Sequence, residues 1–330
     1  MKLIMFSTRD DEKPAVNKWS IRNGVEVRTV KEDLTLDTVS LVEGFDGVCI
    51  QQRTDITNEA VYKRLSDFGI KQLALRTAGY DIINMDLAER YNMKITNVPA
   101  YSPRSVAELV LTQTMRLIRQ FPSIERDMAE GDFRWSGRIA REIHTMTIGI
   151  IGAGRIGGTT ARLFHALGAT VIAYDPVQHD ELRSILTYKE SKTEVLAEAD
   201  IVSLHVPLDS TTINLIDASA LNVMRGGAFL INAARGPVVD TSALIESLQS
   251  AKLAGAALDT LTNEQNFFNQ DLRGKVQTDK NLTLLMNMKN VLLTPHIGFY
   301  TTEAVQNMVD IALDNALDII HLNRSVNEVV

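Results

Sequence analysis

One cysteine, Cys49, stands in 330 residues. No disulfide can form within the chain, which suits a reducing compartment and makes a cytoplasmic protein the expectation. Cys49 lies in the apolar run Gly47-Val48-Cys49-Ile50, where burial is the expected role rather than thiol chemistry. Positive charge is also scarce: 34 Lys and Arg against 41 Asp and Glu leave a net charge of −7. That disfavours nonspecific binding to nucleic acid or to an anionic membrane, and the basic patches of a direct DNA binder are missing. Neither a nucleic acid nor a membrane is expected as a partner. Long hydrophobic runs are absent too. The start Met1-Lys2-Leu3-Ile4-Met5-Phe6 turns polar at Ser7, too soon for the core of a signal peptide, and no stretch approaches the length of a bilayer span. There is no internal repeat and no low-complexity segment. What is present, a 45% apolar fraction, is ordinary for a globular chain, and the length argues for two domains.

The first hundred residues alternate short apolar runs with amphipathic stretches. The runs predict strands at 3–6, 25–30, 47–50, 72–75 and 94–96. Between them, Val61, Leu65 and Phe68 share one face of a helix predicted at 59–68. Strands alternating with helices predict a parallel sheet covered on both faces. The pattern changes at Tyr101-Ser102-Pro103-Arg104. Ser102 can cap a helix whose first turn holds Pro103, and Ser105 with Glu108 offers a second, capping-box start. The segment 106–119 is apolar on more than one face, which predicts burial at a domain or subunit boundary and makes a homodimer through this region the expected assembly. A second α/β series predicts strands at 147–151, 170–174, 201–206, 228–232, 255–258 and 291–293. The last segment, 303–322, is predicted to be a helix that returns to the first domain. The expected architecture is therefore two doubly wound parallel-sheet domains. A Rossmann nucleotide domain, 101–299, is inserted into a flavodoxin-like substrate domain made of 1–100 and 300–330.

The strongest local motif is Gly152-Ala153-Gly154-Arg155-Ile156-Gly157. It follows the apolar run Ile148-Gly149-Ile150-Ile151 and opens a helical pattern, after which the strand 170–174 ends in Asp175. Gly152 permits the tight turn, Gly154 lets a pyrophosphate approach the backbone, and Gly157 lets helix and strand pack closely. Free N–H groups and the helix dipole then face the phosphates. Asp175 can accept from both ribose hydroxyls and would repel a 2′-phosphate. Pro176-Val177 supplies no arginine to neutralise one, so NAD is expected rather than NADP.

Hydride transfer between NAD and a carbon–oxygen bond needs a proton-transfer group and something to tune it, and a substrate that bears a carboxylate would also need a cation. Histidine suits the first because it titrates near neutrality, and arginine the third because its planar fork matches a carboxylate. A nearby carboxylate suits the second. His144, His165, His179 and His321 lie in helical or polar contexts and read as surface residues. His205 and His296 each end an apolar run, where the crevice beyond the carboxyl ends of strands is within reach. Pattern alone does not choose between them. Arg235 and Glu264 likewise follow predicted strands. No metal is called for.

The chain resembles the D-isomer-specific 2-hydroxyacid dehydrogenases, and among them the bacterial D-lactate enzymes. The resemblance is carried in order by Arg76-Thr77-Ala78-Gly79, Asn97-Val98-Pro99-Ala100-Tyr101-Ser102-Pro103, the glycine motif and Ser203-Leu204-His205-Val206-Pro207. Asn232-Ala233-Ala234-Arg235-Gly236, Thr294-Pro295-His296 and Phe299-Tyr300-Thr301 follow. It implies that Arg235 binds the substrate carboxylate, that His296 is the acid/base and that Glu264 pairs with it. His205, Val206 and Pro207 would then face the cofactor, with Arg155, Ile156, Asp175, Thr212, Ala233, Ala234 and Asp259. Ala78, Gly79, Tyr101 and Phe299 would face the substrate, a small 2-keto or 2-hydroxy acid.

Ile50 is expected on the pocket wall, where D-lactate enzymes often carry a large aromatic residue. An aliphatic residue there implies room for branched or aromatic 2-keto acids, so a D-2-hydroxyisocaproate-type enzyme is one alternative. A non-enzymatic NAD-sensing protein of the same fold is another. Phosphoglycerate dehydrogenases often add a C-terminal regulatory domain, and none is expected after Val330.

Overall fold

A computed structural model describes residues 1–52 and 54–329. The chain divides into one unit made of 1–102 with 300–330 and a second made of 103–299. In the first unit the apolar runs become five strands: β1 (Lys2–Met5), β2 (Glu26–Thr29), β3 (Gly47–Ile50), β4 (Gln72–Leu75) and β5 (Lys94–Thr96). They pair in parallel in the order β2-β1-β3-β4-β5, so the order reverses between β1 and β3. Both faces are covered. The helix Thr302–Leu322, capped by Thr301, sets Val309, Leu313 and Ala316 against Leu3, Met5 and Cys49. The returning C-terminal helix thus belongs to the first unit. Burial pushes the Cys49 thiol up to about 12, so it is an inert packing residue.

Two expectations for this unit change. Every residue of β3 is buried, Ile50 included, and Ile50 packs in the core cluster with Phe6, Val48 and Leu75. It does not line a pocket, because a strand sheathed on both faces buries its last residue as well as its middle. Gln51, the next residue, is the first to emerge, and Arg9 Nη1 donates to its Oε1 at 2.5 Å. Secondly, Tyr101 and Ser102 belong to the first unit, two residues past the expected boundary. The Asn307 side-chain amide donates to the Tyr101 carbonyl at 2.7 Å. Arg76 of the Arg-Thr-Ala-Gly motif is fully buried. It donates to Glu12 at 3.0 Å and to the carbonyls of Phe6 and Ser7. That arginine is a core brace: without it the fully buried Glu12 carboxylate would keep only Arg9, whose guanidinium lies 3.7 Å away, to balance its charge.

The second unit holds a seven-stranded parallel sheet: β6 (Thr147–Ile151), β7 (Thr170–Tyr174), β8 (Thr187–Tyr188), β9 (Ile201–Leu204), β10 (Ala228–Asn232), β11 (Leu253–Leu258) and β12 (Val291–Leu293). The order is β12-β11-β10-β9-β6-β7-β8, with its reversal between β6 and β9. This is the Rossmann order with one strand added at the β11 edge. The two-residue β8 has no apolar run of its own and is not evident from sequence. β9 stops at Leu204, so His205 and Val206 lie just past the strand rather than in it.

The helix Pro103–Ile118 opens the second unit. Its apolar breadth is explained inside that unit, where Val110, Leu117 and Ile118 join Ile148, Ile150 and Phe164 in one core cluster. The helix starts at Pro103, and Glu108 pairs with Arg104 at 2.6 Å, so the Ser105 capping box does not form. The exposed apolar residues come after it. Phe121, Met128, Phe133, Trp135 and Ile139 all face solvent, the last two at 86% and 95% exposure.

Candidate active site

Each predicted site residue of the second unit follows the carboxyl end of a strand. The glycine motif follows β6, Asp175 follows β7, and His205 follows β9. Arg235 follows β10, Asp259 and Glu264 follow β11, and His296 follows β12. The sheet therefore sets them along one edge, the side on which open α/β sheets bind ligands.

At the reversal point the glycine motif has the shape a dinucleotide needs. Gly152 has φ +91°, and a Cβ there would lie 2.7 Å from the His205 carbonyl oxygen. A Cβ on Gly157 would lie 1.9 Å from the Gly152 carbonyl oxygen, so helix and turn can touch only through glycine. Gly154 faces open space within 4 Å, which leaves its backbone approachable by a pyrophosphate. The helix Arg155–Ala166 starts there with its N-terminal dipole toward that space. Asp175 accepts from the Ala153 N–H at 2.7 Å and the Val177 N–H at 2.8 Å. Its carboxylate is thus fixed beside the glycine turn. These residues fit NAD. Thr212 is buried, donates to the Pro207 carbonyl at 2.7 Å and accepts from the Asp209 N–H at 2.8 Å. Its hydroxyl staples the loop that follows β9.

The two strand-ending histidines part here. His205 Nε2 shares a hydrogen bond with Ser203 Oγ at 2.9 Å, and its Nδ1 is buried with no partner. Burial pushes its imidazole well down, to about 3, so it is neutral across the physiological range. His296 Nδ1 instead lies 2.5 Å from Glu264 Oε1. Glu264 is held in turn by the Leu261 N–H, which donates to Oε2 at 3.0 Å. His296 sits at φ +56°, in the left-handed region, and Phe299 meets its ring edge-on at 6.4 Å between centroids. A base oriented by a carboxylate, with its other ring nitrogen left for chemistry, is an acid/base arrangement. Arg235 is half-buried and donates from Nη1 to the Ala234 carbonyl at 2.9 Å. Gly236 beside it packs directly on the backbone before Glu264: a Cβ there would lie 2.0 Å from the Leu261 carbonyl carbon.

The family described as "D-isomer specific 2-hydroxyacid dehydrogenase, NAD binding domain" matches residues 111–298. The chain is 40% identical, over all of both chains, to a D-2-hydroxyacid dehydrogenase (NAD(+)) of Clostridioides difficile. It is 42% identical to a D-lactate dehydrogenase of Lactiplantibacillus plantarum, over all of this chain and 99% of that one. A solved D-lactate dehydrogenase from a Sporolactobacillus species is 56% identical with a TM-score of 0.87, covering 100% of this chain and 99% of that one. The chain belongs to the D-isomer-specific 2-hydroxyacid dehydrogenase family. Like the family, it is an NAD-dependent oxidoreductase.

Within this dehydrogenase, Ala78, Gly79 and Tyr101 lie in the first unit, half-buried. The Asn97 side-chain amide donates to the Ala78 carbonyl at 2.7 Å, and Thr77 Oγ1 donates to the Gly79 carbonyl at 2.7 Å. Asp259 was expected only as a cofactor contact. It is 1% exposed and accepts from Thr294 Oγ1 at 2.5 Å and from the Ile297 and Gly298 N–H groups at 2.9 and 2.8 Å. It therefore grips the turn that carries His296. Thr294, Ser105 and Gln113 complete that grip, and nothing local in the sequence shows these bonds, since the partners lie tens to hundreds of residues apart.

Proposed function

We propose that the chain reduces pyruvate, and related small 2-keto acids, to the D-2-hydroxy acid. The Glu264–His296 pair carries this reading: Nδ1 is occupied by the carboxylate at 2.5 Å, which leaves Nε2 to move a proton. Bound NADH supplies the hydride to the carbonyl carbon. Protonated His296 gives the Nε2 proton to the carbonyl oxygen as the alcohol forms, so that keto acid, NADH and one proton yield the hydroxy acid and NAD⁺. Arg235 takes the substrate carboxylate in a two-pronged contact and polarises the carbonyl. In the oxidising direction, neutral His296 accepts the hydroxyl proton. Gly152, Gly154, Arg155, Ile156, Gly157, Asp175, His205, Val206, Pro207, Ala233, Ala234 and Asp259 hold the cofactor. Ala78, Gly79, Tyr101 and Phe299 meet the substrate. The burial of Ile50 removes the ground for preferring larger branched substrates.

The test is NADH consumption against a panel of 2-keto acids. Pyruvate should turn over with NADH strongly preferred to NADPH, and Asp175→Ala should narrow that preference. No turnover with any 2-keto acid, or equal kcat/KM for both cofactors, would defeat the reading.

The proposal extends to a homodimer in the cytoplasm. Five large apolar side chains exposed between Phe121 and Ile139 are more than a monomer surface ordinarily shows in one short segment. The single buried thiol suits a reducing compartment. Light scattering should report a dimer that Trp135→Lys weakens.

A further inference from the structure

The helix Pro103–Ile118 carries three buried polar side chains, Ser105, Gln113 and Thr114, and two of them, Ser105 at 6% and Gln113 at 3% exposure, reach the turn that holds His296. Ser105 Oγ donates to the Gly298 carbonyl at 2.6 Å, and Gln113 Nε2 donates to Thr294 Oγ1 at 2.9 Å. Thr294 and Gly298 are the first and last residues of the five-residue turn with His296 at its centre. The helix therefore grips this turn at both ends, from points two helical turns apart, or about 12 Å along its axis. From the sheet side, Asp259 takes the Thr294 hydroxyl and the N–H groups of Ile297 and Gly298. Thr294 is the junction: its one hydroxyl donates to Asp259 and accepts from Gln113.

This bracing answers a specific need. A bulky residue in the left-handed region, as His296 is at φ +56°, persists only where its surroundings over-determine it. Gln113 is also an unfavourable choice on stability alone. Its Oε1 is buried with no partner, and a buried carbonyl left unpaired is destabilising. Leucine would fill similar space without that penalty.

We infer that the helix Pro103–Ile118 is the mount of the proton-transfer turn, with Gln113 and Thr294 as positioning residues. They act on the reaction through His296 and touch neither substrate nor cofactor. The inference rests on the reading of His296 as the acid/base. It deepens that reading by placing the determinants of its geometry on a helix 178 or more residues away in sequence.

The experiment uses the full chain and three variants, Gln113→Leu, Thr294→Val and Thr294→Ser, with His296→Ala as reference. Steady-state kcat, KM for pyruvate and NADH, and melting temperature are read for each. Misplacing a reacting group by an ångström can cost about a hundredfold in rate, so Gln113→Leu and Thr294→Val should each lower kcat by roughly tenfold or more. KM for NADH should stay within about twofold of native, because the glycine turn and Asp175 are untouched. Gln113→Leu should melt no lower than native, since it removes the unpaired carbonyl along with the bond. Thr294→Ser keeps the hydroxyl and should recover kcat to within about threefold of native. An unchanged kcat in Gln113→Leu overturns the inference. So does a fall in kcat that comes with a matching fall in melting temperature, or a Thr294→Ser enzyme no better than Thr294→Val. If His296→Ala itself retains turnover, the assignment of His296 fails instead, which separates the two failures.

Discussion

His205 and His296 follow strands of one sheet, β9 and β12, and from sequence they are equivalent candidates. Their surroundings make them different chemical objects. His205 meets a neutral hydroxyl, keeps one ring nitrogen buried and unpaired, and is held neutral by burial. His296 meets a carboxylate at 2.5 Å, and three hydrogen bonds to Asp259 brace the turn around it. The strand end supplies only the location. The partner brought in by another loop, here the 261–264 segment after β11, decides whether an imidazole is held through one ring nitrogen by a carboxylate, with the other left for chemistry.

The largest expected effect separates the two outright. His296→Ala should lower kcat by about 10²- to 10⁴-fold, the range of a lost general acid/base, while NADH still binds. His205→Asn should change kcat by less than about tenfold and act mainly on KM for NADH. Steady-state kinetics with fluorescence titration of NADH would show both, and similar kcat losses in the two variants would erase the distinction.

A smaller effect sharpens what the partner does. Glu264→Gln removes the charge facing Nδ1 but keeps a hydrogen-bonding shape. The alkaline limb of the reduction profile should then move to lower pH, and the acidic limb of oxidation should move the same way. Ser203→Ala, the matching change beside His205, should leave both limbs in place. Profiles of kcat/KM against pH in both directions decide it. Limbs that stay fixed in Glu264→Gln would mean the carboxylate does not tune the proton-transfer group.

The smallest effect is on stability. His205 titrates near 6.5 when unfolded and near 3 in the folded chain. Below pH 6.5 the unfolded chain takes up a proton that the folded one refuses. The stabilising contribution is thus full above 6.5 and is lost as pH falls toward 3, by up to about 1.4 kcal/mol per pH unit. His205→Gln should flatten this part of the melting-temperature profile between pH 7 and pH 4. Equal slopes in native and variant would show that the folded protein admits the proton.

Much of this contrast is written in local sequence, and the reasons for the remainder are physical. The apolar runs locate the sheets because a strand covered on both faces must be apolar throughout, and the glycine motif announces its turn through steric need. Ile50 misleads for the same reason that the runs are readable. Continuous apolarity marks a buried strand but not where the strand meets the pocket, so its last residue was read as rim when it is core. Segment 106–119 reads correctly as buried, yet its pattern does not say against what. The grip of Gln113 and Ser105 on the turn stays silent because its two bonds span 181 and 193 residues, a distance no periodicity records. The Glu264–His296 pair is visible only as two residues after two strands. Sheet order, which sets β11 beside β12, is what brings them to contact.

Gly236 has a consequence for how this site can vary. Its requirement is room, since a Cβ would overlap the peptide joining Leu261 to Thr262, at 2.0 Å from one side and 2.3 Å from the other. Two main chains, one leading from Arg235 and one leading to Glu264, are thus in direct abutment with no side chain between them. A spacing set by abutting peptides has no rotamers to sample and no side-chain length to drift. The spacing between Arg235 and Glu264 is therefore set by main chain alone and stays the same when side chains around them change.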